Sequence, residues 1–345
     1  MTETLFVQCG LGLEHALAAE LEGLGLVRCS VDRGGVELAG PPRSYELVNL
    51  WSRVANRVLL RVATVTRPEE LARVDLARFG SSFVVEATGE GAARWRAAAI
   101  RAFGQAEAGL EVQVRVARGA ATVSVDTSGA LLYQRGYRQE IGRAPLRETL
   151  AAGVLRLAGF RPQEPLWDVM CGSGTFVIEA AEWARGLAPG RNRAFAFEAF
   201  ANHDAASFAA RPRQADMGLA PAPIFGSDLN AGALGTARRN ARRAGVQDAL
   251  TLERLDATRL ELRAGVPPGL VMANLPYGRR VGEAGELGTL YRQLGAALKK
   301  ACPRWRFGLL LEEGAEALGL PIEARHRVSN GGLDCQLVVG RMAGG

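Results

Sequence analysis

Beyond residue 165 the chain repeats one order: a short apolar run, a turn, then a segment of helical periodicity. Strand-like runs fall at 165–169, 223–228, 250–254, 270–273, 307–311 and 335–341, with helical stretches at 175–184, 231–244 and 287–300. Strands separated by helices pair in parallel, because each crossover returns the chain to the same end of the sheet. This half is therefore expected to form a doubly wound, mostly parallel sheet of the α/β class. Residues 186–222, rich in Gly, Pro, Arg and Phe, are too many for an ordinary helix-to-strand connection and read as an insertion.

The first 126 residues have another texture. Residues 5–9 read as a strand and 13–24 as an amphipathic helix, with Leu13, Leu17, Leu21 and Leu24 at helical spacing and Gly25 closing it. Strands expected at 35–38, 58–66, 83–87, 111–116 and 122–126 mix with helices at 45–54, 68–77 and 92–103 without regular βαβ spacing, the pattern of small α+β units. A length of 345 residues suits two domains or more.

Hydrophobic residues make up 48% of the chain and charged residues 23%, and no apolar run approaches the roughly 18 residues of a membrane span. The N-terminus lacks a basic stretch followed by an apolar core and carries Glu3 and Glu14 early, so a cytosolic location is expected. Cys9, Cys29, Cys171, Cys302 and Cys335 form no C-x-x-C pair, and His15, His203 and His326 are far apart, so neither disulfides nor a metal site is expected. A net charge of +6 suits a polyanionic partner such as nucleic acid. Since Lys299 and Lys300 are the only lysines, compositional bias toward arginine explains the same charge equally well.

Leu166-Trp167-Asp168-Val169-Met170-Cys171-Gly172-Ser173-Gly174-Thr175 places an acid at a strand end, then a glycine turn, then a helix start. Ligands bind at this point of a doubly wound sheet. Gly172 and Gly174 would let backbone approach a ligand, and Asp168 could accept a hydrogen bond from a cationic amino group. A plain tight turn accounts for the same glycines. Val177 stands where a dinucleotide fold would carry its third glycine, which disfavours a pyrophosphate site. Asp228 ends the next strand, where a carboxylate can take both ribose hydroxyls, and Asp256 follows the third, within reach of an adenine amino group. Each acid alone is also a common turn or cap residue.

Asn274-Leu275-Pro276-Tyr277-Gly278 closes the fourth strand. The Asn274 side-chain oxygen and the Leu275 carbonyl can accept both N–H bonds of an exocyclic amine, aiming its lone pair at a methyl group, while Tyr277 offers a stacking face. A strand followed by a Pro-Tyr-Gly turn is the structural alternative. Arg279 and Arg280 follow and could hold phosphates, or lie in a solvated loop.

Taken together, these segments resemble the THUMP-containing, Rossmann-fold RNA guanine-N2 methyltransferases, most of all the type that makes N2-methylguanosine in 23S rRNA. The matching pieces are Phe6-Val7-Gln8-Cys9-Gly10-Leu11-Gly12-Leu13-Glu14, Tyr133-Gln134-Arg135-Gly136-Tyr137-Arg138, Ala144-Pro145-Leu146-Arg147-Glu148-Thr149-Leu150-Ala151-Ala152, and the two motifs at 168–175 and 274–278. The resemblance implies a Rossmann-like class I methyltransferase domain over 141–345, preceded by an α+β region with a ferredoxin-like part at 1–65 and a THUMP RNA-binding part at 66–140. It implies S-adenosylmethionine as cofactor, with Asp168, Gly172 and Gly174 about the methionine moiety and Met170, Cys171, Ser173 and Thr175 also among the cofactor-binding residues. Asp228 would lie at the ribose and Asp256 at the adenine, Leu229 and Ala257 would also bind the cofactor, and Arg147, Glu148 and Thr149 would lie close by. Asn274, Leu275, Pro276 and Tyr277 would receive the target base, with Asn274 also bordering the cofactor. Many relatives carry proline where this chain has Leu275. An adenine-N6 methyltransferase, a tRNA-directed guanine-N2 enzyme and a noncatalytic RNA-binding assembly factor are the competing readings; the missing third glycine leaves a nicotinamide dehydrogenase weaker than these.

Overall fold

The computed structural model describes residues 2–139, 146–218, 220–261, 263–276 and 284–344. In chain order its strands and helices are β1 (Glu3–Gln8), α1 (Glu14–Gly23), β2 (Val27–Asp32), β3 (Gly35–Gly40), α2 (Ser44–Trp51), β4 (Arg57–Val65), β5 (Phe83–Gly89), α3 (Ala92–Phe103), β6 (Leu110–Ala117) and β7 (Ala120–Asp126). There follow α4 (Glu148–Leu157), β8 (Leu166–Asp168), α5 (Thr175–Ala184), α6 (Ala205–Ala209), β9 (Ile224–Asp228), α7 (Ala231–Ala244), β10 (Leu250–Arg254), β11 (Leu270–Asn274), α8 (Ala284–Ala301), β12 (Arg306–Leu311), β13 (Ile322–Asn330) and β14 (Leu333–Arg341). These elements fall into two compact units, the first Met1–Cys9, Leu17–Tyr133 and Gly190–Arg213, the second Gly10–Ala16, Gln134–Pro189 and Gln214–Gly345.

The first unit is built on a seven-stranded sheet of order β2-β3-β1-β4-β7-β6-β5. Every pairing is antiparallel except β5 with β6. Along β6 Leu110, Val112, Val114 and Val116 are buried, while Glu111, Gln113 and Arg115 point away, the alternation of a sheet with one face on a core. Much of the expected insertion belongs to this unit. Its Phe195, Phe197, Phe200 and Phe208 are buried, with Phe197 meeting Tyr45 at 5.4 Å, Phe195 at 5.3 Å and Phe208 at 4.9 Å between ring centroids. Glu46, fully buried, is held by Arg43 on one oxygen and by Arg211 of the inserted segment on the other, at 2.7 and 2.9 Å. A buried carboxylate survives only with such pairing.

The second unit carries a seven-stranded sheet of order β10-β9-β8-β11-β12-β14-β13. The five strands from β10 to β12 are parallel, and β14 runs antiparallel between β12 and β13. One face packs on α8, through Trp167, Val169, Val271, Ala273, Phe307 and Leu309 against Tyr291, Leu294 and Leu298. The other face is covered by α5 and α7, and α4 packs on α5. Helices on both faces of a largely parallel sheet are the expected doubly wound architecture. The chain moves outward from β8 to β10 and then restarts at β11, so the order reverses between β8 and β11.

Three expectations change in detail. Residues 68–77 contain a short 3-10 helix, Pro68–Arg73, in place of a longer helix, and β2 and β13 are edge strands with little alternation of burial. Helix α4 lies where only a motif was noted. Gly12 has φ of +88°, and a Cβ there would stand 1.9 Å from the Arg327 carbonyl oxygen, so both the turn and the close approach require glycine. Among the described residues no helix is long and apolar enough to cross a membrane.

Truncating Phe197 removes the centre of the aromatic cluster. Phe197→Ala is expected to cost about 3–5 kcal/mol locally and to open residues 190–213 to proteolysis before the rest of the chain; an unaltered cleavage pattern would show that the cluster does not hold the segment.

Candidate active site

The polar groups singled out in the second unit collect at the C-terminal ends of β8, β9, β10 and β11. Parallel register aligns Asp168 with Gly226 of β9 and Met272 of β11, and Arg254 with Asp228. The Val169 amide continues to the Met272 carbonyl at 3.1 Å, and the Leu255 amide to the Asp228 carbonyl at 3.3 Å. Asp168, Asp228 and Asn274 thus stand at neighbouring strand tips beside the point of reversal, where the crossovers diverge and leave a crevice.

Trp167 and Val169 join the α8-facing core, so strand alternation turns Asp168 to the α5 side. Its side chain is 1% exposed, and its Oδ1 accepts the Met170 N–H at 3.2 Å. Burial pushes the Asp168 carboxyl up to about 8, and neighbouring Asp228 adds to the rise against the opposing pull of the Met170 N–H. Among the described residues no arginine or lysine is paired with it. A buried carboxyl without a cation is a place prepared for one.

The turn between β8 and α5 is pinned from several sides. The Cys171 amide donates to the Ser227 carbonyl and the Gly174 amide to the Cys171 carbonyl, both at 2.8 Å. Asp228 Oδ2 accepts the Gly172 N–H and its Oδ1 the Asn230 N–H, each at 2.8 Å. Gly172 has φ of +52°, and among the described residues nothing lies within 4 Å of where its Cβ would be, which leaves room for a ligand against its backbone. Gly174, with φ of +89°, is instead packed on α7, its would-be Cβ 3.1 Å from Ala237. Burial drives the Cys171 thiol far above its ordinary range, which keeps it protonated.

Asp256 turns inward on its own loop. Its Oδ1 takes both the Thr258 hydroxyl at 2.7 Å and the Thr258 N–H at 2.9 Å, and these bonds hold its carboxyl below the usual range. Leu229, next to Asp228, is 59% exposed, a large apolar side chain left uncovered at the rim, whereas Ala257 is buried. At β11 the Asn274 Oδ1 is buried and meets no hydrogen-bond donor among the described residues. Leu275 is buried and Pro276 half-buried; Tyr277 lies outside the described residues, as do Arg279 and Arg280.

Arg138 ties the start of α4 to the turn between β8 and α5. Its guanidinium donates to the Leu146 carbonyl at 3.0 Å and to the Thr175 hydroxyl at 2.6 Å, and pairs with Glu148 at 3.3 Å. Thr149 is buried with Glu148, while Arg147 is exposed at the N-cap. Burial pushes Glu148 up to about 7 against the pull of Arg138. Sequence reasoning assigned no individual role to Arg138, nor to Asn240, whose side-chain amide donates to the Ser173 carbonyl at 3.1 Å, nor to Tyr291, whose hydroxyl donates to the Pro276 carbonyl at 2.9 Å. Arg138 lies within a motif of the resemblance; Asn240 and Tyr291 carry no local signal, because helical positions with polar tips read as ordinary helix.

A strand-end acid, a glycine turn and an asparagine gathered at the reversal of a class I order define a methyltransferase cleft. Residues 135–320 match the family described as RMKL-like, methyltransferase domain, and residues 4–59 match the RlmL ferredoxin-like domain. The chain belongs to the RMKL-like methyltransferase family. It is similar to SMU.472, described as a methyltransferase and crystallised with SAH, at 27% identity over 100% of this chain and 98% of that one, with a TM-score of 0.84. A possible methylase from Clostridium difficile is 27% identical over 100% and 99%, with a TM-score of 0.87. A predicted N6-adenine-specific DNA methylase from Listeria monocytogenes is 27% identical over 100% and 97%, with a TM-score of 0.82.

The raised Asp168 carboxyl makes a pH prediction for the ligand-free chain. Because the folded state holds the proton to about pH 8 and the unfolded chain releases it near the ordinary value of 3.8, this group's contribution to stability is full below about pH 4 and lost as pH rises toward 8. Asp168→Asn should therefore melt higher than wild type at pH 8, with the gap closing toward pH 4. A gap independent of pH would contradict the placement of an unpaired buried carboxyl.

Proposed function

We propose that this chain transfers the methyl group of S-adenosylmethionine to the exocyclic N2 of a guanine in RNA, with 23S rRNA as substrate. The observation that carries the reading is the buried Asn274 Oδ1, which meets no donor among the described residues, at a strand tip neighbouring that of Asp168. An amide oxygen withdrawn from water without a donor costs free energy unless a ligand supplies one.

The residues present fit an amino acid joined to a nucleoside. Asp168, buried with no cation paired to it among the described residues, would receive the ammonium group, and the backbone at Gly172 would lie against the methionine portion, with Met170, Cys171, Ser173 and Thr175 shaping that turn. Asp228 spends one lone pair of each oxygen on a backbone N–H and keeps the others for the ribose hydroxyls. Exposed Leu229 and buried Ala257 would border the nucleoside, and Asp256 would take the adenine amino group on its second oxygen. Arg147, Glu148 and Thr149 border the same turn through Arg138.

The bound cofactor supplies an electrophilic methyl on a sulfonium. Asn274 Oδ1 and the Leu275 carbonyl accept the two N–H groups of the target amine and turn its lone pair toward that methyl. As nitrogen gains positive charge the same two acceptors stabilise it, and its extra proton passes to water. Pro276 sets the turn and Tyr277 stacks on the unstacked base. We read 1–65 as ferredoxin-like, 66–140 as a THUMP domain that grips RNA, and 141–345 as the Rossmann-like catalytic domain, working in the cytoplasm. In the first unit a hollow of about 410 Å³, lined in part by Arg67, Arg94 and Trp95 beside Glu69 and Glu90, supports contact with RNA there.

Labelled cofactor incubated with undermethylated 23S rRNA, tRNA and DNA, followed by nucleoside analysis, tests the reading. N2-methylguanosine in 23S rRNA is expected. N6-methyladenosine, the product suggested by the name of the Listeria relative, would replace the guanine assignment; labelled tRNA alone would move the substrate; absence of cofactor binding would leave an RNA-binding factor.

Two substitutions separate binding from transfer. Asp228→Ala should weaken cofactor binding by about 1–3 kcal/mol in calorimetry. Asn274→Ala should leave that affinity within about 1 kcal/mol and lower turnover at least about 100-fold; undiminished turnover would remove Asn274 from its role.

A further inference from the structure

Leu275 is the one departure of the reactive tetrapeptide from relatives that carry proline there, and leucine brings a backbone N–H that proline lacks. This N–H is used. The Leu275 amide donates to the Leu310 carbonyl of β12 at 2.9 Å, extending the β11–β12 ladder one residue past Asn274. On the other side of the turn, Tyr291 of α8, 1% exposed, donates its hydroxyl to the Pro276 carbonyl at 2.9 Å. The Leu275 and Tyr291 side chains belong to the same buried cluster.

We infer that Tyr291 and the Leu275 amide form a clamp that holds the Leu275 carbonyl, and with it Asn274, on the methyl-accepting amine; Tyr291 is a positioning residue. The inference rests on the proposed reading of Asn274 and Leu275 as acceptors. Between the two anchors lie four backbone dihedrals, and the Pro276 ring fixes one of them near −65°. The Leu275 carbonyl sits in the middle of this short span, so it cannot swing without breaking an anchor. In relatives with two prolines a second ring restrains the same span; here a sheet hydrogen bond takes that place.

Tyr291→Phe removes a single oxygen and keeps the buried ring, so a thermal melt should stay close to wild type. Two readouts on the full chain test the clamp. Hydrogen exchange of the Leu275 amide, without cofactor or RNA, should fall in the slow class of the central strands in wild type and speed up about tenfold in the variant. Methyl transfer should lose about 10- to 100-fold in kcat, while the Kd for S-adenosylmethionine stays within about twofold. Fast exchange of Leu275 in wild type, or exchange unchanged in Tyr291→Phe, overturns the clamp. Faster exchange with unchanged kcat overturns its catalytic consequence, and equal losses in kcat and cofactor affinity would mark Tyr291 as merely structural. Wild-type protein that binds cofactor and methylates no nucleic acid counts against the proposed function alone, since the exchange rates still decide the clamp.

Discussion

The reversal of strand order between β8 and β11 is the constraint from which the site follows. A parallel strand in the middle of a sheet has its backbone groups paired on both sides, so only its tip can offer polar groups without disturbing the ladder. Where successive crossovers leave in opposite directions, the tips lie uncovered by either. Asp168 and Asn274 occupy those tips, and register sets Asp168 opposite Met272, two residues before Asn274. The sheet does the positioning; the polar residues need only be last on their strands.

Such a crevice stays shaped only if its surroundings resist collapse, and the second unit provides this with buried ions. Arg138 spans α4 and the first residue of α5. Behind it Arg135 pairs with Glu179 at 3.5 Å, and the Tyr137 hydroxyl donates to the same carboxylate at 3.3 Å, all three buried. Apolar contacts alone would let α5 slide on α4 at little cost, whereas a displaced buried ion loses its partner in a medium that cannot replace it. The turn at 172–174 inherits that rigidity because Thr175 is bonded to Arg138.

What the sequence discloses tracks how local each cause is. Asp168, Asp228 and Asn274 are legible because each ends an apolar run, and a polar group closing a β-rich stretch marks a strand tip. The order of strands is legible only as a class, since alternation of strand and helix demands parallel pairing. Edge strands β2 and β13 escape notice because exposure on both faces leaves no alternation to read. The membership of residues 190–213 in the first unit is illegible for another reason: their phenylalanines pack on Tyr45 and Phe79, partners more than 100 residues away. Asn240, Arg138 and Tyr291 act through backbone oxygens or hydroxyls brought near by the fold alone.

On the proposed reading the turn after β11 offers acceptors, the Asn274 amide oxygen and the Leu275 carbonyl, and no titrating base among its described residues. An amide oxygen and a backbone carbonyl keep their character across the ordinary pH range, while the carboxylates of the same crevice, Asp168 and Asp228, are committed in that reading to the cofactor. An exocyclic amine needs no prior deprotonation, because its lone pair is already present and its proton becomes acidic only after the new bond forms. In the proposed reaction direction is therefore what the protein must supply, and direction is fixed by the backbone that carries the proposed acceptors. That places the chemical demand on hydrogen bonds such as Leu275 to Leu310 and Tyr291 to Pro276, which touch no substrate.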